Sequence, residues 1–352
     1  MATLDCIVTS DWHLDGLAKH FTNHIDRQML ELEKIYQYAI DNGISHVFVP
    51  GDVSDTPKME EAAYIALVNL LKKYDGLIHT YYIPGNHDFS DIRKTSMDLL
   101  DVIKLHGMFK TFHLFLKPNK MVVSGVPINF LPYPCLHAPK SKTPSLNFTH
   151  IEYNGCIGDN GRPLRTSREF IQNDGDFNVS GHIHVYQYLK SKRAIFCGSP
   201  YQKNFGEPLP KGFVHLKARY NNGVLDIRHK FIDNKPDFQF INLIIESRRD
   251  FAKLSSSDAF RYKLWITPGV EIPKNIRVEF PNITGGIFDL GTKTRSDSAP
   301  TVATSTVSRK INVKKQLSVF LKNAGHDKAF IRDAYVATQA AANELGIDLS
   351  SE

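Results

Sequence analysis

The chain has 352 residues, 42% of them hydrophobic and 23% charged, with a formal net charge of +6. That length supports two or three domains and the composition is that of a folded globular protein rather than a disordered or fibrous one. No apolar run is long enough for a transmembrane helix, no signal peptide is visible in "MATLDCIVTSDWH", and the four scattered cysteines form no CxxC pair, so a reduced, cytoplasmic protein without a membrane anchor is expected.

In chain order, "LDCIVTSD" reads as a buried strand ending in polar residues. Residues 26–41 carry Met29, Leu32, Ile35, Tyr36 and Ala39 at helical spacing, closed by Asn42-Gly43. "SHVFVPGD" predicts a second strand, "EEAAYIALVNLLKKYDG" a second helix and "LIHTYYIPGNHD" a third strand. This β-α-β-α-β order predicts an α/β core with parallel pairing. Residues 112–133 and 176–232 hold short apolar strands with no long helix between them, which predicts a second, more antiparallel sheet. Residues 236–290 read as a small α+β unit. Residues 291–311, rich in Ser, Thr, Ala and Pro, read as a flexible linker. Residues 312–352 then predict a helical hairpin, with Asn312 and Asp327 as caps. A hairpin this small is marginal alone. It either packs back on the body or docks on a partner, and the linker favours docking.

Five polar clusters sit at strand ends: "SDWHLDG" with Asp11 and His13, "PGDVSD" with Asp52 and Asp55, "PGNHD" with Asn86, His87 and Asp88, "FTHIE" with His150, and "SGHIHV" with His182 and His184. In D-x-H and H-x-H both side chains lie on one face of an extended segment. The carboxyl ends of strands are where α/β folds place ligands. Carboxylate, amide and imidazole without thiolate suit Mn²⁺, Fe²⁺ or Zn²⁺. Seven such donors suit two divalent metal ions about 4 Å apart sharing a carboxylate. A lone histidine such as His46, His79 or His215 is read as an ordinary core or surface residue.

This ordered set, D-x-H, G-D-x-x-D, G-N-H-D, H and G-H-x-H, resembles the calcineurin-like metallophosphoesterases. The resemblance implies two packed mixed β-sheets flanked by helices, an αββα sandwich over residues 1–235, with a small cap at 236–290. It implies Asp11, His13, Asp52 and His184 as ligands of one metal, and Asp52, Asn86, His150 and His182 as ligands of the other. His87 would protonate the leaving oxygen, and Asp88 would orient His87. His150 is preferred to the nearby His137, which sits in the proline-rich "PYPCLHAP".

"CGSPYQKNFGE" followed by "KGF", and "FLPYP", are similar to stretches of SbcD-type recombination nucleases, most of all phage recombination endonuclease subunits. That resemblance implies a Mn²⁺-dependent nuclease acting on DNA ends, hairpins or single strands in repair or recombination. It further implies a homodimer, and a terminal hairpin that binds an SbcC-type coiled-coil ATPase. Candidate phosphate contacts are Lys19, His20, Arg93, Lys94 and Lys203. The extra acidic residue in "HLDG" departs from the usual "HLG". The alternatives are a phosphatase or cyclic-nucleotide phosphodiesterase on the same scaffold, and a catalytically silent DNA-tethering subunit. Cleavage of a DNA hairpin against a phosphopeptide separates the first, and metal analysis the second.

Overall fold

A computed structural model describes residues 1–90, 95–159, 161–166 and 170–290. The expected linker at 291–311 and the hairpin at 312–352 lie outside the described residues, as do Arg93 and Lys94. Among the described residues no helix is long and apolar enough to cross a membrane.

The first part of the chain alternates as its periodicity requires: β1 (Ala2–Val8), α1 (His24–Asp41), β2 (His46–Pro50), α2 (Glu61–Lys73), β3 (His79–Ile83), α3 (Ser96–Leu105) and β4 (Phe112–Leu114). These four strands are parallel neighbours. α1 ends where the sequence offers Asn42-Gly43: Gly43 adopts φ 66°, and Ile44 N–H returns to the Ala39 carbonyl at 2.8 Å, which closes the last turn. α3 starts at a capping box in which Thr95 and Asp98 each bond the other's backbone.

Next come β5 (Asn119–Val123), β6 (Val126–Leu131), β7 (Leu146–Thr149), β8 (Phe177–Ser180), β9 (Gln187–Leu189) and β10 (Ala194–Phe196). They form a second sheet in the order β5-β6-β7-β8-β10-β9. Here the expectation of a more antiparallel sheet is corrected. β6, β7, β8 and β10 run parallel, and only the edge strands β5 and β9 are antiparallel to their neighbours. The long hairpin β11 (Gly212–Asn221) and β12 (Val224–Asp233) does not join this sheet. It returns to the first, where β11 pairs antiparallel with β1, giving the order β12-β11-β1-β2-β3-β4.

Alternation along each strand decides which face it buries. Ile7, Val47, Val49 and Tyr82 meet Leu32, Ile35, Leu67 and Leu71 of the helices in one core. Cys6, Val8, Phe48 and Tyr81 point the other way and meet Ile128, Phe130, Phe148 and Val179 of the second sheet. Phe48 lies flat between Phe148 (4.2 Å between centroids) and Tyr81 (4.5 Å). Truncating Phe48 to Ala is expected to cost about 3–5 kcal/mol. The far face of the second sheet is covered by loop residues, with Ile151, Tyr153, Cys156 and Ile183 packed on Ala194 and Phe196. Two packed mixed sheets with flanking helices are therefore the architecture.

β13 (Gln239–Ile245), β14 (Phe260–Ile266), the single turn α4 (Ile276–Glu279) and β15 (Ile287–Asp289) form a small parallel three-stranded sheet with its own core. Arg261 ties it to the loop after β1. Its Nε donates to the His20 carbonyl at 2.6 Å, and its guanidinium sits 3.9 Å from the centre of the Phe21 ring.

Candidate metal centre

The loops that leave β1, β2, β3, β7 and β8 at their carboxyl ends carry the five polar clusters, and the two sheets bring these loops to one place. Several of the residues leave the strands in left-handed backbone: Asp11 at φ 56°, His13 at 44°, Asp52 at 54° and His182 at 80°. The turns need glycine for space. A Cβ on Gly85 would overlap the Asp52 carboxylate, and Gly51 adopts φ 95° directly beneath the His150 ring.

Two donor clusters result. In the first, Asp11, His13 and His184 bring their ligand atoms within 4.8 Å of one another. His13 Nε2 lies 3.0 Å from His184 Nε2 and 3.7 Å from Asp52 Oδ2. In the second, Asp52, His150 and His182 do the same. His150 Nε2 is 3.2 Å from Asp52 Oδ2 and 3.0 Å from Asn86 Oδ1, and His182 Nδ1 is 2.9 Å from the same amide oxygen. Asp52 stands between the clusters and shares one oxygen with both.

The rings are held by their other nitrogens. His184 Nδ1 faces Glu207 Oε1 at 2.9 Å, which fixes its proton there and leaves the Nε2 lone pair pointing inward. His150 Nδ1 faces the Pro50 carbonyl at 2.8 Å with the same result. His13 Nδ1 faces Asp55 Oδ1 at 3.2 Å, but no hydrogen bond satisfies it. Imidazole nitrogens of His13 and His184 thus meet at 3.0 Å among carboxylates and an amide oxygen, a crowding of donor atoms that a divalent cation in each cluster would satisfy. The donor set fits such ions.

Electrostatics divide the histidines: burial holds His13 and His182 neutral, while facing carboxylates outweigh burial at His150 and His184 and favour a proton that a bound ion would displace. Burial pushes His13 down to about 3 and His182 down to about 4, which keeps both imidazoles neutral. Burial raises Asp11 to about 6. Asp52 is also buried, but the facing His150 outweighs that and holds its carboxyl well below the usual range. His150 moves up to about 9, because the Asp52 carboxylate overcomes the burial that would lower it.

His87 lies at the edge of the first cluster, its ring edge-on to His13 at 4.6 Å. Its backbone N–H donates to Asp52 Oδ1 at 2.8 Å, and its Nδ1 faces the Asp55 carbonyl at 2.7 Å. The expected support from Asp88 is corrected here. Consecutive side chains diverge, and the buried Asp88 carboxylate accepts instead from Ser54 N–H (2.8 Å), Ser54 Oγ (3.0 Å) and Gly85 N–H (2.9 Å). It fastens the β3 loop to the β2 loop and does not touch His87.

The candidate phosphate contacts scatter. Lys19 is exposed. His20 packs edge-on against Phe240 at 4.8 Å, toward the small sheet. Lys203 Nζ is engaged by Asp55 Oδ1 at 3.1 Å. Asp55, named with Asp52 in the second polar cluster, supports His13 and His87 rather than adding a donor. Two further supporting residues are not singled out by the sequence. Glu207 belongs to the quoted stretch Cys197 to Glu207, so its signal is present. Asp159, whose Oδ2 lies 3.2 Å from His184 Nδ1, sits in a loop with no signal of its own.

The model of the calcineurin-like phosphoesterase family matches residues 5–186. No curated protein matches the chain. Among solved structures the chain is similar to a dimetal phosphatase from Danio rerio (12% identity, 66% of this chain and 97% of that one, TM-score 0.41). It is also similar to YfcE, a phosphoesterase from E. coli (13%, 66% and 100%, TM-score 0.33), and to GAP50, the anchor in the inner membrane complex of Plasmodium (14%, 67% and 86%, TM-score 0.40). The family match spans more than half of the 352 residues and contains every one of the seven clustered donors, and the chain belongs to the calcineurin-like phosphoesterase family.

Proposed function

We propose that the protein is a phosphodiesterase that cuts DNA at or near ends, using two divalent ions, with Mn²⁺ as the preferred metal. Asp11, His13, Asp52 and His184 would hold one ion, and Asp52, Asn86, His150 and His182 the other. The ions would supply a water of lowered pKa and neutralise charge on the phosphoryl oxygens.

The chain's own residues do the rest. Asp52 fixes the two clusters at a constant spacing. The Asp55 carbonyl fixes the Nδ1 proton of His87, so Nε2 is the atom that exchanges a proton with the leaving oxygen. Glu207 and Asp159 orient His184.

One observation carries the diester reading. Among the described residues the cavity beside the second cluster is lined by no lysine or arginine and by one carboxylate, Glu152. A monoester dianion needs more positive charge than a diester monoanion, and an acidic wall penalises it further. The DNA part of the reading rests on the "GSPYQKNFGE" resemblance. On the same basis we propose a homodimer and an SbcC-type ATPase partner for residues 312–352.

The test is cleavage of an end-labelled DNA hairpin against a phosphopeptide, each with Mn²⁺, Mg²⁺ or Zn²⁺. Hairpin cleavage with Mn²⁺ is expected. Turnover of the phosphopeptide with intact DNA would overturn the reading. For the partner, loss of ATPase capture on deletion of residues 309–352 is expected, and capture by the truncated chain would overturn that proposal.

A further inference from the structure

Beside the second cluster lies a cavity of about 190 Å³. It is lined by the donors Asn86, His150 and His182 together with Tyr133, Ile151 and Glu152. It is therefore the space open to a substituent of a phosphate seated on the cluster. The volume is below that of a pocket for a drug-sized molecule and suits a single flat ring system.

Its walls state what kind of ring. Tyr133 is half-buried, its backbone N–H anchored to the Pro84 carbonyl at 3.1 Å, and its ring backed edge-on by Phe89 at 5.9 Å. The phenol hydroxyl makes no hydrogen bond among the described residues, so the ring is placed there without a structural bond of its own to serve. Glu152 is likewise without a hydrogen bond or ion pair among the described residues. A carboxylate oxygen accepts, so a ligand that meets Glu152 does so with N–H or O–H groups. A second phosphate is repelled. A sugar offers hydroxyls but no π face, and a tyrosyl ring offers a π face but no ring N–H. A nucleobase offers both.

We propose that this cavity is a nucleobase subsite, holding one base beside the scissile phosphate with its face on Tyr133 and its N–H edge at Glu152. The proposal rests on the nuclease reading above. The face contact uses a surface that stacking covers inside a helix, so the base must be unstacked. The protein is then selective for frayed ends, mismatches and single strands.

The experiment compares kcat/KM for single-stranded oligonucleotides that carry either a normal nucleotide or a reduced abasic residue on each side of the scissile phosphate. Wild type, Tyr133→Ala, Tyr133→Phe and Glu152→Gln are tested, with methyl 4-nitrophenyl phosphate as a base-free diester. Wild type is expected to favour the normal nucleotide on one side by roughly ten- to hundredfold, the range of base–aromatic stacking. In Tyr133→Ala that ratio is expected to collapse to within about threefold, while Tyr133→Phe keeps it. Glu152→Gln is expected to change the ranking among the four bases. Base-independent cleavage by wild type, or a ratio that survives in Tyr133→Ala, would overturn the subsite alone. Turnover of methyl 4-nitrophenyl phosphate with no oligonucleotide cleaved by wild type would overturn the nuclease reading, and the subsite with it.

Discussion

His184 and Glu207 share a hydrogen bond of 2.9 Å, and Lys211 holds the other oxygen of the same carboxylate at 2.7 Å, with both members of the Glu207–Lys211 pair essentially out of solvent. Lys211 also donates to the His184 carbonyl at 2.9 Å. One buried ion pair therefore grips a donor histidine by its ring and its backbone. Glu207→Gln is expected to weaken metal binding by about 10–100-fold, read by calorimetric titration with Mn²⁺. Lys211→Met leaves a buried carboxylate unpaired and is expected to cost about 3–5 kcal/mol in a denaturant titration. The double variant should regain stability without regaining metal affinity. Equal metal affinity in Glu207→Gln and wild type would show that the grip is dispensable.

His87 and Asp88 are adjacent in sequence but separate in consequence. His87→Ala is expected to keep its metal, by elemental analysis, and to lose about 10²–10⁴-fold in cleavage. Asp88→Ala strands buried N–H donors at about 1–3 kcal/mol each and is expected to lower the melting temperature. A normal melting temperature in Asp88→Ala would remove the loop-fastening role, and wild-type cleavage by His87→Ala would remove the acid.

Gly85→Ala places a methyl group where the Asp52 carboxylate and backbone N–H lie. Asp52 serves both clusters, so the variant is expected to purify without metal. Gly43→Ala meets open space and only a strained φ of 66°, at about 1–2 kcal/mol. It should retain its metal, and if both variants hold metal equally, the close approach at Gly85 is not required.

At the opposite ends of β2 and β3, His46, His79 and His113 form a row, with His79 Nδ1 3.1 Å from His113 Nε2. Burial, with His79 and Lys104 adding to it, pushes His113 down to about 4 from an ordinary 6.5. The fold therefore refuses a proton that the unfolded chain accepts. This contribution to stability is present above pH 6.5 and is lost as pH falls toward 4. The melting temperature should drop across that window, and less steeply in His113→Phe. Identical slopes would assign the drop to other groups.

Much of the centre was legible because each donor follows an apolar run at a fixed short spacing, and the position of His150 followed from its strand-like approach. Other features leave no local trace. β7 and β8 are four residues each and buried on both faces, so they carry no period, and loops rather than helices connect them. β11 and β12 read as strands, but what assigns them to the first sheet is the pairing of β11 with β1, as in Lys217 opposite Asp5, with no trace in the local sequence. α3 buries Met97 and Leu100 while exposing Leu99, Val102 and Leu105, so its apolar residues mark no single face. Asp88 was misread through adjacency, because its partners are backbone groups of other loops.

His13 and His182 sit in a backbone region that residues other than Asn, Asp and Gly enter at a cost. Natural selection for turnover and laboratory selection for heat resistance therefore pull on these two codons in opposite directions. A library randomised at His13 and His182 and screened only for survival of heating should fill with Asn and Gly. The winners would be sturdier proteins with an incomplete donor set.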